Sequence, residues 1–213
     1  MRMITKAVVT ALGLAAAASA HASFTYTTAP SQTNVPVPAA GVARNDFATE
    51  LASAGVTSFD LGGVLGLTRA GAVDVFYWGK EAGYRNTFTL GSVTATTTTA
   101  GVDPWGARYV GTVLGLSSGA LNFQFCATDI STCLTNAGNA GLNLGSAQSI
   151  GMRIASDGLS AILLWDDSGA NRDDNHDDMI IQLRYRVPEP ATLGLLGLGL
   201  LGAGVAARRR AKK

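Results

Sequence analysis

The segment Asp166–Asp178 concentrates oxygen-bearing side chains, since it contains six aspartates and two asparagines. Carboxylate and amide oxygens are the hard ligands that Ca²⁺ prefers, and a bound cation would offset the repulsion among the carboxylates. Binding of Ca²⁺ as a cofactor is therefore one hypothesis for this segment. The alternative is a solvated charged turn without a metal, because runs of charge are commonly just solvated. The candidate ligands are Asp167, Asp173, Asn175, Asp177 and Asp178.

The spacing of these ligands differs from that of an EF-hand loop. Asp173, Asn175 and Asp177 alternate like the first ligands of such a loop. The sixth position, which needs glycine for a sharp turn, is Asp178, and the twelfth, which needs glutamate, is Arg184. A calcium site in this segment would therefore be of another type.

The N-terminal segment has the organisation of a secretory signal peptide. Arg2 and Lys6 precede an uncharged, mostly apolar run that extends to Ala20. Ala20 and Ala22 place small residues at the two positions that signal peptidase recognises, so cleavage is predicted after Ala22. Residues 1–22 would then be removed, and the mature chain would begin at Ser23.

The C-terminal segment combines three features in order: the tripeptide Pro188–Pro190, the uncharged stretch 191–207 and a basic tail. The stretch is just long enough for a transmembrane helix, and the cations after it would keep the tail cytoplasmic. The two prolines extend the backbone and remove two backbone donors, so the tripeptide can neither join a sheet nor begin the helix early. The basic residues are Arg208, Arg209, Arg210, Lys212 and Lys213.

In these three parts and in their order, residues 187–213 resemble the PEP-CTERM proteins of Gram-negative bacteria, which are substrates of exosortases. The resemblance implies that a membrane-embedded exosortase recognises Pro188, Glu189 and Pro190 and removes the tail. It also implies a transient inner-membrane anchor and a final location at the cell surface or in the extracellular matrix of a bacterium that makes exopolysaccharide. The acidic segment 173–178 resembles a strand-loop-strand found ahead of the sorting signal in many such proteins.

The region between the two end segments is acidic, although the whole chain has a formal net charge of +1. Residues 23–187 contain nine Lys and Arg against fourteen Asp and Glu, which gives a net charge of −5. A surface of this sign repels phosphate backbones, so nucleic acid is excluded as a partner. Cations are the expected small partners.

The two cysteines, Cys126 and Cys133, lie close together in the exported region, where thiols oxidise. A disulfide bond between them is predicted, and it would stabilise the fold by about 2 kcal/mol because it closes only a small loop. A metal site is less favoured, because two thiols without a neighbouring His or Cys cannot complete a tetrahedral shell.

The histidine content argues against catalysis. His21 leaves with the signal peptide, so the mature chain keeps only His176. The surrounding carboxylates would hold this imidazole protonated and unfit as a general base, which disfavours serine and zinc hydrolases. A glycosidase needs only two carboxyl groups, but the aspartate segment lacks the apolar pocket that raises the pKa of one of them. The protein is therefore expected not to be an enzyme.

Short runs of alternating apolar and polar residues, separated by glycine-rich turns, predict an all-β ectodomain over residues 23–187. The fold class that fits is a single antiparallel β-sandwich or jelly roll, followed by the transmembrane sorting helix. The alternation is clearest over Met179–Val187, which predicts a strand with one buried face. The polar segment Gly79–Gly83 predicts a hairpin loop. One helix is predicted over Phe47–Ala54, capped by Asn45 or Asp46 and ended by Gly55.

The favoured function is a structural or adhesive role in the envelope or exopolysaccharide matrix. The alternative is a carbohydrate-binding, lectin-like module, and a polysaccharide-acting enzyme is the least favoured. Large aromatic side chains could form a platform for sugar rings, although alternation places about half of them in the core. These aromatic residues are Phe76, Tyr77, Trp78, Tyr84, Trp105 and Tyr109.

Overall fold

The structure is a computed structural model of the chain, and it describes residues 22–37, 45–97, 101–167, 175–187 and Gly199. Residues 1–21 of the predicted signal peptide, the ligand Asp173, the tripeptide Pro188–Pro190 and the basic tail lie outside the described residues. The segment Ala22–Arg186 forms one compact unit. It contains every strand that the structure describes.

Within the described residues, the chain forms fifteen strands, one short α-helix, α1 (Ala48–Ser53), and one 3-10 helix (Ala137–Asn139). The prediction of an all-β domain with very little helix is therefore confirmed. The strands are β1 (Phe24–Thr28), β2 (Gln32–Pro36), β3 (Ser58–Leu61), β4 (Val64–Leu67), β5 (Gly71–Ala82), β6 (Asn86–Leu90), β7 (Val93–Thr96), β8 (Gly101–Asp103), β9 (Arg108–Leu116), β10 (Gly119–Ala120), β11 (Phe123–Ala127), β12 (Thr132–Thr135), β13 (Ser149–Ile154), β14 (Ser160–Asp166) and β15 (Met179–Arg186).

The described strands form three sheets in which each strand pair is antiparallel. The large sheet has the order β2-β3-β13-β14-β15-β5-β8, and β9 also pairs with β5. A four-stranded sheet has the order β12-β11-β6-β7, and a three-stranded sheet has the order β1-β4-β10. The prediction of antiparallel pairing is confirmed.

The main core lies between the four-stranded sheet and one face of the large sheet. Phe88 and Phe125 enter it from the four-stranded sheet, and Leu163 and Trp165 enter it from β14. The rings of Phe125 and Trp165 stack with their centroids 5.3 Å apart. Burying a large side chain of this kind stabilises the fold by about 1.5–3 kcal/mol, so the facing sheets hold each other in place.

A second core covers part of the opposite face of the large sheet. Phe47 and Leu51 from the α1 region pack there with Phe59 of β3 and Ile180 of β15. The prediction that β15 buries only one face is therefore wrong for its first half, where even Gln182 is only 6% exposed. The alternation marks the face that enters the main core, but it gives no signal for the helix that covers the other face.

Helix α1 ends where the glycine predicts. Gly55 has a φ of +80°, a left-handed conformation that side chains with a Cβ rarely adopt. The Gly55 amide donates to Ala52 O and the Val56 amide donates to Leu51 O, which is a Schellman ending. At the other end, Asn45 Oδ1 accepts from the Phe47 amide at 2.9 Å in the turn that leads into the helix.

The predicted hairpin around Gly79–Gly83 is wrong. Strand β5 continues through this segment to Ala82, because β8 pairs with residues 80–82 and the Glu81 amide donates to Asp177 O at 2.8 Å. Strand β6 then pairs with β11 and β7 in the four-stranded sheet. The connection from β5 to β6 is therefore a crossover between sheets, and it places Lys80 in a buried strand.

Cys126 and Cys133 face each other across β11 and β12 and are joined by a disulfide bond. Their Cα atoms are 4.0 Å apart. The bond closes the hairpin at the edge of the four-stranded sheet, one residue beyond the buried Phe125 on β11.

Phe125→Ala tests the main core. We expect the substitution to lower the free energy of unfolding by about 3–5 kcal/mol, because it removes a fully buried ring and leaves a cavity. The matched control is Leu114→Ala, since Leu114 is 74% exposed and should change the stability by less than about 0.5 kcal/mol. Chemical denaturation of both variants measures the difference, and equal effects would contradict the assignment of the core.

Candidate functional site

Four aspartates meet at the end of the β14–β15 pair. Asp166 and Asp167 stand where β14 ends, and Asp177 and Asp178 stand just before β15 begins. Because the two strands are antiparallel neighbours, these ends lie side by side. All four side chains are buried, with at most 7% of any residue exposed. They are therefore not the solvated charges of an exposed turn.

Hydrogen bonds tie these carboxylates to both sheets. The Asp167 amide donates to Asp178 Oδ2 at 2.6 Å, which closes the end of the β14–β15 pair. From β6 in the four-stranded sheet, Asn86 Nδ2 donates to Asp167 Oδ2 at 3.1 Å and to Asp178 O at 2.9 Å. Burial raises the pKa of Asp178, and the neighbouring charge of Asp167 raises it further.

Lys80 brings a cationic side chain to the same region. It is completely buried, and its Nζ donates to Tyr84 O at 3.2 Å. Burial lowers the pKa of Lys80, and the negative charges of Asp103, Asp178 and Asp167 oppose this shift. This role is not visible in the sequence, because Lys80 lies in a glycine-bounded polar segment that favours an exposed turn. We call Lys80, Asn86, Asp166, Asp167, Asp177 and Asp178 the polar end cluster.

Two of the predicted calcium ligands, Asp177 and Asn175, accept hydrogen bonds from the residues that lead into α1. The Asp46 amide donates to Asp177 Oδ2 at 2.5 Å, and Asn45 Nδ2 donates to Asn175 O at 2.8 Å. Within residues 22–37, 45–97, 101–167 and 175–187, no group of three or more His, Cys, Asp or Glu is arranged to hold a metal ion. Because Asp173 lies outside the described residues, the structure does not place the predicted ligands as a set.

His176 faces the second core rather than the carboxylates of a solvated loop. Its ring lies 4.6 Å from that of Phe59, and its Nε2 is 2.9 Å from Ser149 Oγ. A serine and a histidine at this distance could form the nucleophile and base of a hydrolase. Both residues are completely buried, so the pair offers no nucleophile to a substrate at the surface.

A second cluster lies at the margin of the second core, on the same face of the large sheet. On β5, Val73 and Val75 enter the main core, so Asp74 and Phe76 lie on the opposite face. The sequence itself shows this alternation between the two faces of β5. Side chains from β9 and β15 lie next to them. We call the cluster the aromatic–arginine face; its members are Asp74, Phe76, Tyr109, Thr112, Arg184 and Arg186.

Contacts within the aromatic–arginine face orient its rings. The Arg184 guanidinium lies 4.8 Å from the centroid of the Phe76 ring, and the Tyr109 ring meets Phe76 edge-on at 5.6 Å. Tyr109 OH is 2.7 Å from Thr112 Oγ1. With 57% of its surface exposed, Tyr109 presents an aromatic ring and a hydroxyl to solvent.

An ion pair completes the same surface. Arg186 Nε donates to Asp74 Oδ1 at 2.9 Å and to Oδ2 at 3.0 Å. Thr112 Oγ1 donates to the same carboxylate at 2.5 Å. The arginine side chains keep further N–H groups directed to solvent, because a guanidinium carries five donors.

The other predicted platform aromatics serve the core instead. Tyr77 and Trp78 are buried, and Tyr77 OH donates to Asp103 Oδ2 at 2.8 Å. Trp105 packs edge-on against Trp78 with the ring centroids 4.7 Å apart. Tyr84 is partly buried and packs against the main core. Of the six aromatics, Phe76 and Tyr109 are therefore the two that belong to the aromatic–arginine face.

Comparison with known proteins identifies the C-terminal segment. Residues 186–210 match the family described as the PEP-CTERM protein-sorting motif. No curated protein and no solved structure is detectably similar to the chain. Among the described residues, no helix has the length and apolar character needed to cross a bilayer, and the predicted transmembrane stretch 191–207 lies outside them apart from Gly199. The chain thus carries a PEP-CTERM sorting signal and is an exported protein that an exosortase sorts to the cell surface.

Proposed function

We propose that the exported domain is a non-catalytic β-sandwich with a structural or adhesive role in the exopolysaccharide matrix. In this proposal, signal peptidase removes residues 1–22, and the stretch 191–207 anchors the precursor in the inner membrane until an exosortase acts. The observation that carries the proposal is the aromatic–arginine face, because it is an exposed sheet surface with the chemistry that polysaccharides require.

Sugar polymers present apolar C–H faces and many hydroxyl groups. An exposed aromatic ring stacks on such a face, while a phenol hydroxyl bonds to a neighbouring hydroxyl group. Arginine donates several hydrogen bonds in a fixed fork, which suits carboxylate or hydroxyl oxygens of a polymer. Tyr109, Arg184 and Arg186 supply these groups on β9 and β15, the two strands that flank β5.

The support for the face is rigid. Strand β5 pairs with β15 on one side and with β9 on the other, and alternate residues of β5 are anchored in the main core. A binding surface that is fixed before binding loses little conformational entropy when it meets its ligand. A flat, rigid face is therefore suited to repeated weak contacts with a polymer, as a matrix protein needs.

The same face favours a second candidate, a lectin-like module that recognises a defined short glycan. The two candidates differ in what they bind. A matrix component needs the intact polymer and gains from many simultaneous contacts, whereas a lectin binds a short oligosaccharide by itself. A glycan array of short oligosaccharides, compared with binding to the released exopolysaccharide, separates them.

The first test removes the exposed ring or the stacked cation. Tyr109→Ala and Arg184→Ala should each weaken co-sedimentation with purified exopolysaccharide by about fivefold to tenfold, which corresponds to about 1–1.4 kcal/mol. Ile130→Ala is the control, because Ile130 is an exposed apolar residue in the turn between β11 and β12, away from the aromatic–arginine face. Unchanged binding by both face variants would contradict the proposal.

The second test concerns sorting. Glu189→Gln should leave the full-length precursor in the inner membrane with its basic tail attached, because the central charge of the tripeptide is lost. Glu50→Gln makes the same chemical change on α1 and should be processed normally. Fractionation with detection of the C-terminal tail measures the outcome, and normal release of the Glu189 variant would count against recognition of this tripeptide.

The third test addresses the calcium predicted from the sequence. If Ca²⁺ binds the folded domain, its melting temperature should rise in millimolar Ca²⁺, with about 2.7 kcal/mol gained at a concentration 100 times the Kd. Asp173→Asn should reduce this rise, and EDTA should abolish it. Calorimetry that detects neither Ca²⁺ uptake nor a change in melting temperature would exclude the site.

A further inference from the structure

Two buried groups with complementary chemistry lie apart from the aromatic–arginine face. Lys80 carries a primary amine on β5, and Asn86 carries a carboxamide on β6. Both residues are completely buried. A buried lysine is rare unless it has a paired charge or a chemical role. These two residues stand at either end of the crossover that joins the large sheet to the four-stranded sheet.

The two groups share neighbours between the sheets. Lys80 Nζ donates to the carbonyl of Tyr84, two residues before Asn86. On β6, Asn86 lies two residues before Phe88. The two side chains therefore share a face of the strand, and Asn86 projects towards the main core. Its Nδ2 donates to Asp167 and to the Asp178 carbonyl, and the charges of these same two aspartates act on Lys80.

The environment suits an amine and an amide that react with each other. Burial lowers the pKa of Lys80, which increases the share of neutral, nucleophilic amine. Among the described residues, Asn86 Oδ1 has no hydrogen-bond partner although it is buried. A buried acceptor without a donor is costly, and a proton donor reaching this oxygen would activate the amide carbon. The Asp167 carboxylate accepts a hydrogen bond from Asn86 Nδ2 at 3.1 Å and so fixes the orientation of the amide.

We propose that Lys80 and Asn86 form an intramolecular isopeptide bond that joins β5 to β6. Lys80 Nζ attacks Asn86 Cγ, the Nζ–Cγ bond forms, and the Cγ–Nδ2 bond breaks. One proton from Nζ is transferred to Nδ2, which departs as ammonia. The atoms and electrons balance without an oxidant or a co-reactant. The product is a neutral secondary amide in place of a buried amine and a primary amide.

The bond would fix the crossover between the two sheets. Because it closes only the short loop from 80 to 86, its gain from loop-closure entropy is small. Its main effects are to remove an ionisable amine from the interior and to prevent the end of β5 from separating from β6. Both effects suit a protein that must stay folded outside the cell. This inference does not depend on polysaccharide binding.

Peptide mapping of the mature protein purified from its own cells tests the bond directly. Without the bond, trypsin cuts after Lys80 and Arg85 and gives the separate peptides 70–80, 81–85 and 86–108. With the bond, cleavage at Lys80 is blocked, and peptide 70–85 stays joined to peptide 86–108. The joined species should be lighter than its unlinked parts by one ammonia molecule, and fragmentation should place the link at Lys80 and Asn86.

Lys80→Arg is the control variant, because arginine keeps the charge but cannot form the bond. The joined peptide should disappear in this variant, while mapping of the unaltered protein remains informative even if the variant folds poorly. Quantitative recovery of free 70–80 and 81–85 from the folded, unaltered protein would overturn the proposal. A link that loses water instead of ammonia would overturn the role of Asn86, because it would identify an aspartate as the acyl group.

Discussion

The burial of the β14–β15 pair on both faces is the constraint on which the rest of the structure depends. One face of these strands meets the four-stranded sheet through Trp165 and Leu163, and the other meets α1 and β3 through Leu164 and Ile180. Strands buried on both faces need nearly continuous apolar sequence. The consequence is that polar side chains gather at the two ends of the pair.

The two ends differ because α1 and β2–β3 cover only part of the large sheet. At the end of the β14–β15 pair that α1, β2 and β3 cover, four aspartates are buried together with Lys80 and Asn86. Buried charges are costly unless hydrogen bonds and opposite charges compensate them, which explains the dense bonding of this cluster. Beyond the cover, Arg184 and Arg186 are exposed, and Phe76, which packs partly against the second core, lies beside them in the aromatic–arginine face. One packing arrangement therefore creates both the reactive interior and the exposed surface.

Much of the architecture follows from local sequence. Alternation identifies the strands that enter the main core, and Gly55 marks the end of α1 because its φ is positive. The sorting signal is equally readable, since its three parts are contiguous. The prediction around Gly79–Gly83 is wrong because β8 and the Asp177 carbonyl extend β5 through residues that favour a turn. Pairing with residues distant in sequence overrides the local turn propensity there, and no local sequence pattern indicates that pairing.

The sites were harder to predict than the strands for the same reason. The composition of the aspartate segment is visible in the sequence, but the burial of its carboxylates depends on contacts with Asn86 and Asp46, which are distant in sequence. Phe76 and Tyr109 were recognised as candidate platform residues, whereas Asp74 was not, although it shares a face with Phe76. Side-chain chemistry is visible in the sequence, and the partners of each side chain are not.

Amide hydrogen exchange tests the double burial of the β14–β15 pair most directly. If both faces are covered, the amides of Ile162–Trp165 and Met179–Ile181 should exchange only through global unfolding, whereas amides of the edge strands β9 and β12 should exchange through local opening. Exchange in the first half of β15 as fast as in β9 would contradict the account, because it would mean that the second core does not cover the large sheet.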